Sequence, residues 1–407
     1  MIHVAYGTSN LYSKFAATSM LSMFENTNSN VTVHILHDNE LTIENRENFS
    51  YIAGRYNQQV KFYNAEKICA TEVQEFKSKL PASMLKQFHI AVTFRLLILK
   101  IIPYTIDKII YLDTDTIINL DIKELWRVEL ENKALAAVLE NPFGTNLPFA
   151  ICRDGTVDSK DYFNVGVLLL NLKIMRNDAN SIWGGVEFVI EKYKHSDNII
   201  EQHIWNYCFS KNYLKLPLKF NCWVRRERAF GHTKIEKYLY HFIGCGDSLG
   251  LNIEDNFHRL YWEYFSKTPF FNSETLLKLF TGVRKMYVER QNLLIKISAL
   301  MSGKTRAFFT DIQNTDFIKN VFALQEGEEI LTFTSNESVQ NLLNSMTAQR
   351  GKKVFFILIF SNQIYNQLRD ILKSVGFIEG QDFFNAVDFL SEIHGVPLNS
   401  WKMIKNL

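Results

Sequence analysis

Short apolar runs alternate with stretches of helical spacing through the first third of the chain. Ile2–Tyr6, Val31–Leu36, Val60–Tyr63 and Lys108–Leu112 read as strands, and Tyr12–Glu25 and Leu41–Tyr56 read as helices between them. Thr93–Ile102 suits a helix that Pro103 ends, because proline removes a backbone donor and clashes with the preceding turn. This alternation predicts an α/β domain with a largely parallel sheet. Ligands of such sheets bind beyond the carboxyl ends of the strands. Ala134–Leu139 and Val165–Leu170 are two more strand candidates, and Tyr238–Phe242 is a late strand that carries His241 outward.

The pattern changes after Leu251. Glu254–Phe265 and Ser273–Met301 read as helices, the second long and amphipathic, with Lys278, Arg284, Lys285, Arg290 and Lys296 spaced around it. A solvated face accounts for these cations, and weak contact with an anionic membrane surface is the alternative. A second alternating pattern starts near residue 304. In it Glu329–Phe333 and Lys353–Phe360 read as strands, and Ser338–Met346 and Gln363–Val375 as helices, with Gly376 as a C-terminal stop. The expected division is a domain over 1–268, a helical connector over 269–303 and a small α/β unit over 304–407. The small unit has no glycine-rich phosphate loop and is assigned no nucleotide.

Composition narrows the classes. The 407 residues are 47% apolar and 22% charged, as in ordinary globular proteins. A net charge of +2 gives nucleic acid no electrostatic footprint. Five scattered cysteines without Cys-x-x-Cys spacing argue against a disulfide framework or a zinc knuckle. The N-terminus enters a strand directly, without the regions of a signal peptide, and no apolar run spans a bilayer. A reducing cytoplasm is the expected compartment, with the inner face of the membrane as an adjunct.

The chemistry concentrates in Ile109–Asn119, where an apolar run delivers Asp113 and Asp115 to a strand end. Positions two apart on a strand share a face. The pair is then an oxygen-rich ligand set suited to Mg²⁺ or Mn²⁺, and such a cation can grip a diphosphate. A turn that merely favours aspartate is the plainer reading. Further along, Tyr162–Asn171 puts Asn164 and Gly166 at the mouth of a strand, Glu201 and Gln202 open a helix, Leu216–Asn221 reads as a loop beside a cleft, and His241–Gly244 ends a strand.

In this order the segments resemble glycosyltransferase family 8, the retaining enzymes of GT-A fold that use UDP-sugars. The resemblance spans about residues 1–265 and is carried by Tyr-Leu-Asp-Thr-Asp, by Tyr-Phe-Asn-Val-Gly-Val-Leu-Leu-Leu-Asn and by His-x-x-Gly. It implies a Rossmann-like GT-A domain with Asp113, Asp115 and His241 as ligands of Mn²⁺ (or Mg²⁺). It implies donor contacts from Arg95, Thr114, Glu140, Asn164 and Gly244, and a uridine loop containing Ala5, Thr8 and Asn10. Glu201 and Gln202 fall beside the reacting sugar carbon. The implied partners are a UDP-hexose, with galactose favoured over glucose, and a glycan or glycoprotein acceptor. The small C-terminal unit is a candidate for recruiting partner glycosyltransferases.

Two departures stand out. The first-strand loop lacks the family's aspartate, leaving Thr8 or Ser9 for the base, and Asp247 stands where the family has a lysine that supports the diphosphate. Lys219, Arg225 and Arg226 are the substitutes open to it. A catalytically silent nucleotide-sugar-binding protein is therefore the rival reading. For retention, attack from the face that UDP leaves is preferred over a double displacement through Glu201 or Gln202.

Overall fold

The computed structural model describes residues 1–82, 84–85, 89–142, 147–195, 200–243, 254–274, 276–277, 280–281, 284, 288, 292, 296–297, 299–310, 315–322, 324–332, 336–359 and 362–386. Two compact units divide the chain, Met1–Asn272 and Ser273–Leu407.

The first unit is built on a seven-stranded sheet. Its strands are β1 (Ile2–Thr8), β2 (Val31–His37), β3 (Gln59–Asn64), β4 (Lys108–Leu112), β6 (Leu135–Leu139), β7 (Phe163–Asn171) and β8 (Tyr213–Lys215). Their order is β3-β2-β1-β4-β7-β6-β8, and only β7 runs against its neighbours. Strand periodicity explains the two cores. Ile109 and Tyr111 of β4 and Leu168 and Leu170 of β7 fill one side. Ile110 and Leu112, with Val167 and Leu169, fill the other. A sheet apolar on both faces has to be covered on both, which is the layered α/β arrangement.

A second, three-stranded sheet lies at the carboxyl edge. It has the order β5 (Thr116–Ile118), β10 (Leu239–His241), β9 (Cys222–Trp223). The helix Ser13–Asn26 ties it to the main sheet through small polar side chains. Ser19 Oγ is 2.8 Å from Thr116 Oγ1 and 3.0 Å from the Tyr6 hydroxyl, and Ser22 Oγ accepts the Ile118 N–H at 2.9 Å. Serine gives this close-packed face both compactness and partners for buried polar groups.

The second unit holds a four-stranded parallel sheet, β12-β11-β13-β14, from Glu329–Thr332, Thr305–Thr310, Lys353–Leu358 and Phe383–Asn385. Asn336–Gln349 and Asn362–Ser374 are its longer helices. The described residues of 273–300 are helical, with Arg284 and Lys296 exposed, while Lys278, Lys285 and Arg290 lie outside the described residues. Among the described residues no helix is long and apolar enough to cross a membrane.

The element limits depart from the sequence reading in instructive places. Thr93–Ile102 is a 3-10 helix, Ile90–Leu97, followed by one α-turn, Ile98–Ile101. The strands β5, β8 and β9 are too short to carry a period, and β11 and β14 were not expected as strands at all.

A buried histidine chain crosses the first three strands. His34 lies under full burial, its Nε2 3.1 Å from His3 Nδ1 and its Nδ1 3.2 Å from the Tyr63 hydroxyl. Burial, aided by His3 and Lys61, pushes the His34 pKa down to about 3. The unfolded chain then binds a proton on this ring below about pH 6.5 and the folded chain does not, so folding stability is lost as pH falls. Unfolding by denaturant from pH 7 to 5 should show this: wild type should lose about 1.4 kcal/mol per pH unit more than His34→Gln below pH 6.5. Parallel pH slopes in the two proteins would contradict it.

Candidate metal and sugar site

Asp113 and Asp115 do not share a strand face as expected. β4 ends at Leu112, β5 starts at Thr116, and residues 113–115 form the turn between them. The turn is pinned from three sides. The Asp113 N–H donates to Gly166 O at 2.7 Å, the Thr116 hydroxyl donates to Asp113 O at 2.8 Å, and the Phe242 N–H donates to Asp115 O at 2.8 Å. β10 runs antiparallel to β5 with His241 opposite Thr116. These constraints gather a carboxylate oxygen of Asp113, one of Asp115 and a nitrogen of His241 within 4.8 Å of one another. His241 Nε2 is 3.2 Å from Asp115 Oδ1 and 3.9 Å from Asp113 Oδ2.

The tautomer of His241 follows from its other neighbour. Nδ1 lies 2.9 Å from Asn221 Oδ1. Asn221 Nδ2 donates to Asn164 Oδ1 at 2.8 Å, so the asparagine oxygen faces the ring and must accept. The neutral ring therefore carries its proton on Nδ1 and turns the lone pair of Nε2 toward the two carboxylates. A second neighbour that fixes the tautomer of a ligating histidine is the usual partner of such a site. Asn221 entered the sequence reading only as the end of a loop.

Gly166 makes room for this arrangement. A Cβ at that position would lie 2.2 Å from His241 Cε1, 2.8 Å from Nδ1 and 2.9 Å from Asp113 Oδ2. The close approach of the ligands to β7 is thus open to glycine and closed to every other residue.

Two carboxylates and an imidazole with a directed lone pair suit a hard or borderline divalent cation with open positions. A second acidic cluster, Asp38, Glu40 and His89, is also compact. Its imidazole is differently set. His89 Nδ1 accepts from Ala91 N at 3.2 Å, so in the neutral ring Nε2 holds the proton, and Asp38 Oδ2 lies 3.7 Å from it, beyond hydrogen-bond distance. That ring is arranged to donate, and the cluster lacks the lone pair that His241 offers.

Arg95 supplies the fixed positive charge. It is 3% exposed, and its Nη2 lies 2.8 Å from Asp113 Oδ1, Nη1 2.7 Å from Val165 O, and Nε 2.9 Å from Glu201 Oε1. The guanidinium stacks over Tyr111 at 4.8 Å. Arg95 thereby sits behind Asp113 and couples it to Glu201. Burial pushes the Asp113 carboxyl above its ordinary range against the pull of Arg95. Burial likewise pushes Glu201 up to about 7, with Arg95 opposing and Asp113 reinforcing the shift. For His241, burial acts downward, and the negative charge of Asp115 overcomes it to leave the ring raised.

Glu140, Asn164 and Gln202 form a connected network next to the Asp113, Asp115 and His241 cluster. Asn164 Nδ2 donates to Glu140 Oε2 (3.0 Å) and Gln202 Oε1 (3.3 Å), and its Oδ1 accepts from Gly166 N (2.9 Å) and Asn221 Nδ2. Gln202 Nε2 donates to Glu140 Oε2 (3.2 Å) and to the Tyr162 hydroxyl (3.4 Å), and its Oε1 also accepts from Val165 N (3.4 Å). Both amides use two donors and two acceptors, which is their full capacity. Glu140 Oε1 makes none of these bonds. The helix Ile200–Phe209 is held on β7 by Asn206, which accepts from Phe163 N at 2.7 Å and donates to Phe163 O at 2.8 Å. Asn206 carried no signal in the sequence beyond a polar residue in a helix.

The remaining expected residues are spread along the first-strand edge. Thr8 ends β1, two residues past Tyr6, whose parallel partner Leu112 ends β4 just before Thr114. Ala5 is buried inside β1. Asn10 Oδ1 accepts from Thr42 N (3.1 Å) and Asn45 Nδ2 (2.6 Å), which fastens the loop to the N-terminus of the helix Ile43–Arg55. Ser9 Oγ is buried and has no hydrogen-bond partner among the described residues. Lys219 pairs with Glu124. Arg226 stacks on Trp223 at 4.2 Å and donates to Glu140 O at 2.8 Å, beside the network. Gly244 and Asp247 lie outside the described residues.

Asn221→Leu should leave the chain folded and weaken Mn²⁺ affinity by roughly 10- to 100-fold in calorimetric titration, as loss of a tautomer-fixing partner does. An affinity within twofold of wild type would contradict the role given to Asn221.

Comparisons with known proteins converge on this unit. The profile of glycosyl transferase family 8 matches residues 3–246. A putative glycosyltransferase of Haemophilus influenzae is 28% identical over 184 residues, 42% of this chain and 48% of the relative. The chain thus spans about half the length of that relative. The lipopolysaccharide 1,2-glucosyltransferase of Escherichia coli is 27% identical over 242 residues, 58% of this chain and 67% of the relative. Among solved structures, the galactosyltransferase LgtC in complex with donor and acceptor sugar analogues superimposes with a TM-score of 0.56 at 21% identity, over 67% of this chain and 98% of LgtC. The fold is shared, and the family profile covers more than half of the chain: this protein belongs to glycosyltransferase family 8.

Proposed function

We propose that the protein is a retaining hexosyltransferase. It moves a hexose, galactose in preference to glucose, from a UDP-sugar to a sugar hydroxyl of a glycan or glycoprotein. The observation that carries this reading is the directed triad of Asp113, Asp115 and His241, with Nε2 presented by Asn221. The names of a glucosyltransferase and a galactosyltransferase among the similar proteins support a hexose.

The roles follow from what each side chain has left to offer. Asp113, Asp115 and His241 would hold Mn²⁺ or Mg²⁺, which when bound supplies Lewis-acid withdrawal of charge from a diphosphate. Arg95 holds Asp113 in place and balances the buried carboxylates. Ser9 Oγ, buried and unpartnered, offers a hydroxyl for the base in a loop without an aspartate. Glu140, fixed through Oε2 by Asn164 and Gln202, presents Oε1 to the hexose hydroxyls.

Retention needs either an enzyme nucleophile opposite the leaving group or attack from the face it vacates. Glu201 is buried against Arg95, and Gln202 has all its hydrogen-bonding capacity committed to the protein. Neither is free to attack, which favours the same-face route, with a phosphate oxygen of the departing UDP taking the acceptor proton.

Screening UDP-sugars with Mn²⁺ and simple glycoside acceptors tests the reading. UDP release is expected from UDP-galactose, and Asp115→Ala should lower it by at least about 100-fold, since a bound metal contributes several kcal/mol. Tight UDP binding with no turnover of any UDP-sugar would replace this reading by a silent binding protein. Intact-mass spectrometry of an acceptor-free reaction should find no glycosyl adduct, and an adduct on Glu201 would overturn the same-face route.

A further inference from the structure

Behind the sugar-site network lies a buried phenol–imidazole pair that the proposed mechanism does not use. The Tyr162 hydroxyl is 2.7 Å from His203 Nδ1 and 3.4 Å from Gln202 Nε2. All three residues are buried, and His203 is boxed by the rings of Phe149, Tyr162 and Tyr193 at 5.6, 5.8 and 6.0 Å.

The direction of every proton along this chain can be assigned. Val165 N can only donate, so it faces Gln202 Oε1. The Glu140 carboxylate accepts, so it faces Gln202 Nε2. The second N–H of Nε2 then points at the phenol oxygen, which must accept it. The phenol proton is left for His203 Nδ1, the nearer partner, so that ring keeps its own proton on Nε2. Gln202 and the phenol oxygen each have one arrangement that satisfies these neighbours.

We propose that Tyr162 and His203 are positioning residues that lock the Gln202 amide, and through it the Glu140 carboxylate, in the orientation the sugar site requires. Without the phenol oxygen one N–H of Gln202 loses its acceptor in a region closed to water. The donor side of the amide is then held by Glu140 Oε2 alone, at 3.2 Å, so the amide, and with it the carboxylate, is fixed less tightly. His203 acts one step back: by taking the phenol proton it keeps the phenol oxygen available as an acceptor. The inference rests on the transferase reading, because it assigns the pair to the hexose side of the site and not to the metal side.

The full-length protein and its Tyr162→Phe, His203→Leu and His203→Gln variants provide the test. Turnover is measured with whichever UDP-hexose the wild type uses, UDP affinity by calorimetry with Mn²⁺, and hydrogen exchange of the Gln202 side-chain amide by ¹⁵N NMR with glutamine labelling. Tyr162→Phe and His203→Leu should lower kcat roughly tenfold through misplacement of a contact group. They should hold UDP affinity within twofold and speed amide exchange. His203→Gln, whose amide oxygen can accept the phenol proton, should recover most of kcat and of the protection. A kcat of Tyr162→Phe within twofold of wild type would overturn the proposal. So would kcat and UDP affinity falling together, or unchanged amide exchange. If the wild type turns over no UDP-sugar, the transferase reading fails, and the amide exchange still decides whether the pair locks Gln202.

Discussion

His241 can offer Nε2 to the two aspartates only while Nδ1 keeps its proton, and Asn221 holds that proton. The asparagine is held in turn by Asn164, whose amide also reaches Glu140 and Gln202. One hydrogen-bonded path therefore joins the metal side of the site to the sugar side. Asn164 and Gln202 have their donors and acceptors fully assigned and Asn221 has one of each fixed, so none can turn without stranding a neighbour. Buried polar networks with that property are rigid, since an unsatisfied group there costs about 1–3 kcal/mol.

The electrostatic design follows the same economy. Two acidic side chains, Asp113 and Glu201, flank one guanidinium, with Asp115 close by against His241, and burial raises Asp113 and Glu201 despite Arg95. A site so arranged is short of positive charge, which is what a divalent cation supplies. The fold makes this affordable by placing the acids where three strand ends meet. β4 stops, β5 starts after a tight turn, and β10 lies against β5, so the ligands are positioned by backbone hydrogen bonds and not by long flexible side chains.

Much of this was legible in the sequence. The apolar run ending in Asp-Thr-Asp marked the carboxyl edge, because buried strands rarely carry paired acids. The reading erred in its geometry: the two aspartates meet through a turn, and no strand period could reveal that. His241 was found as a strand-end imidazole, but the residue that turns its Nε2 toward the two aspartates lies 20 positions earlier in a loop and looks like any turn asparagine. Asn206, Tyr162 and His203 were silent for a similar reason, as their roles exist only once the helix Ile200–Phe209 is laid on β7. In the second unit Lys353–Phe360 was plain from its apolar length, whereas Phe383–Asn385 spans three residues and carries no pattern.

The central claim is that one cation is shared by the turn aspartates and the imidazole that Asn221 directs. Anomalous diffraction at the manganese edge, from crystals soaked with Mn²⁺ and UDP, addresses it most directly. A single peak within coordination distance of Asp113, Asp115 and His241 Nε2, with the diphosphate against it, is the expected result. A peak at Asp38, Glu40 and His89 instead, or density at the triad that excludes His241, would contradict the account.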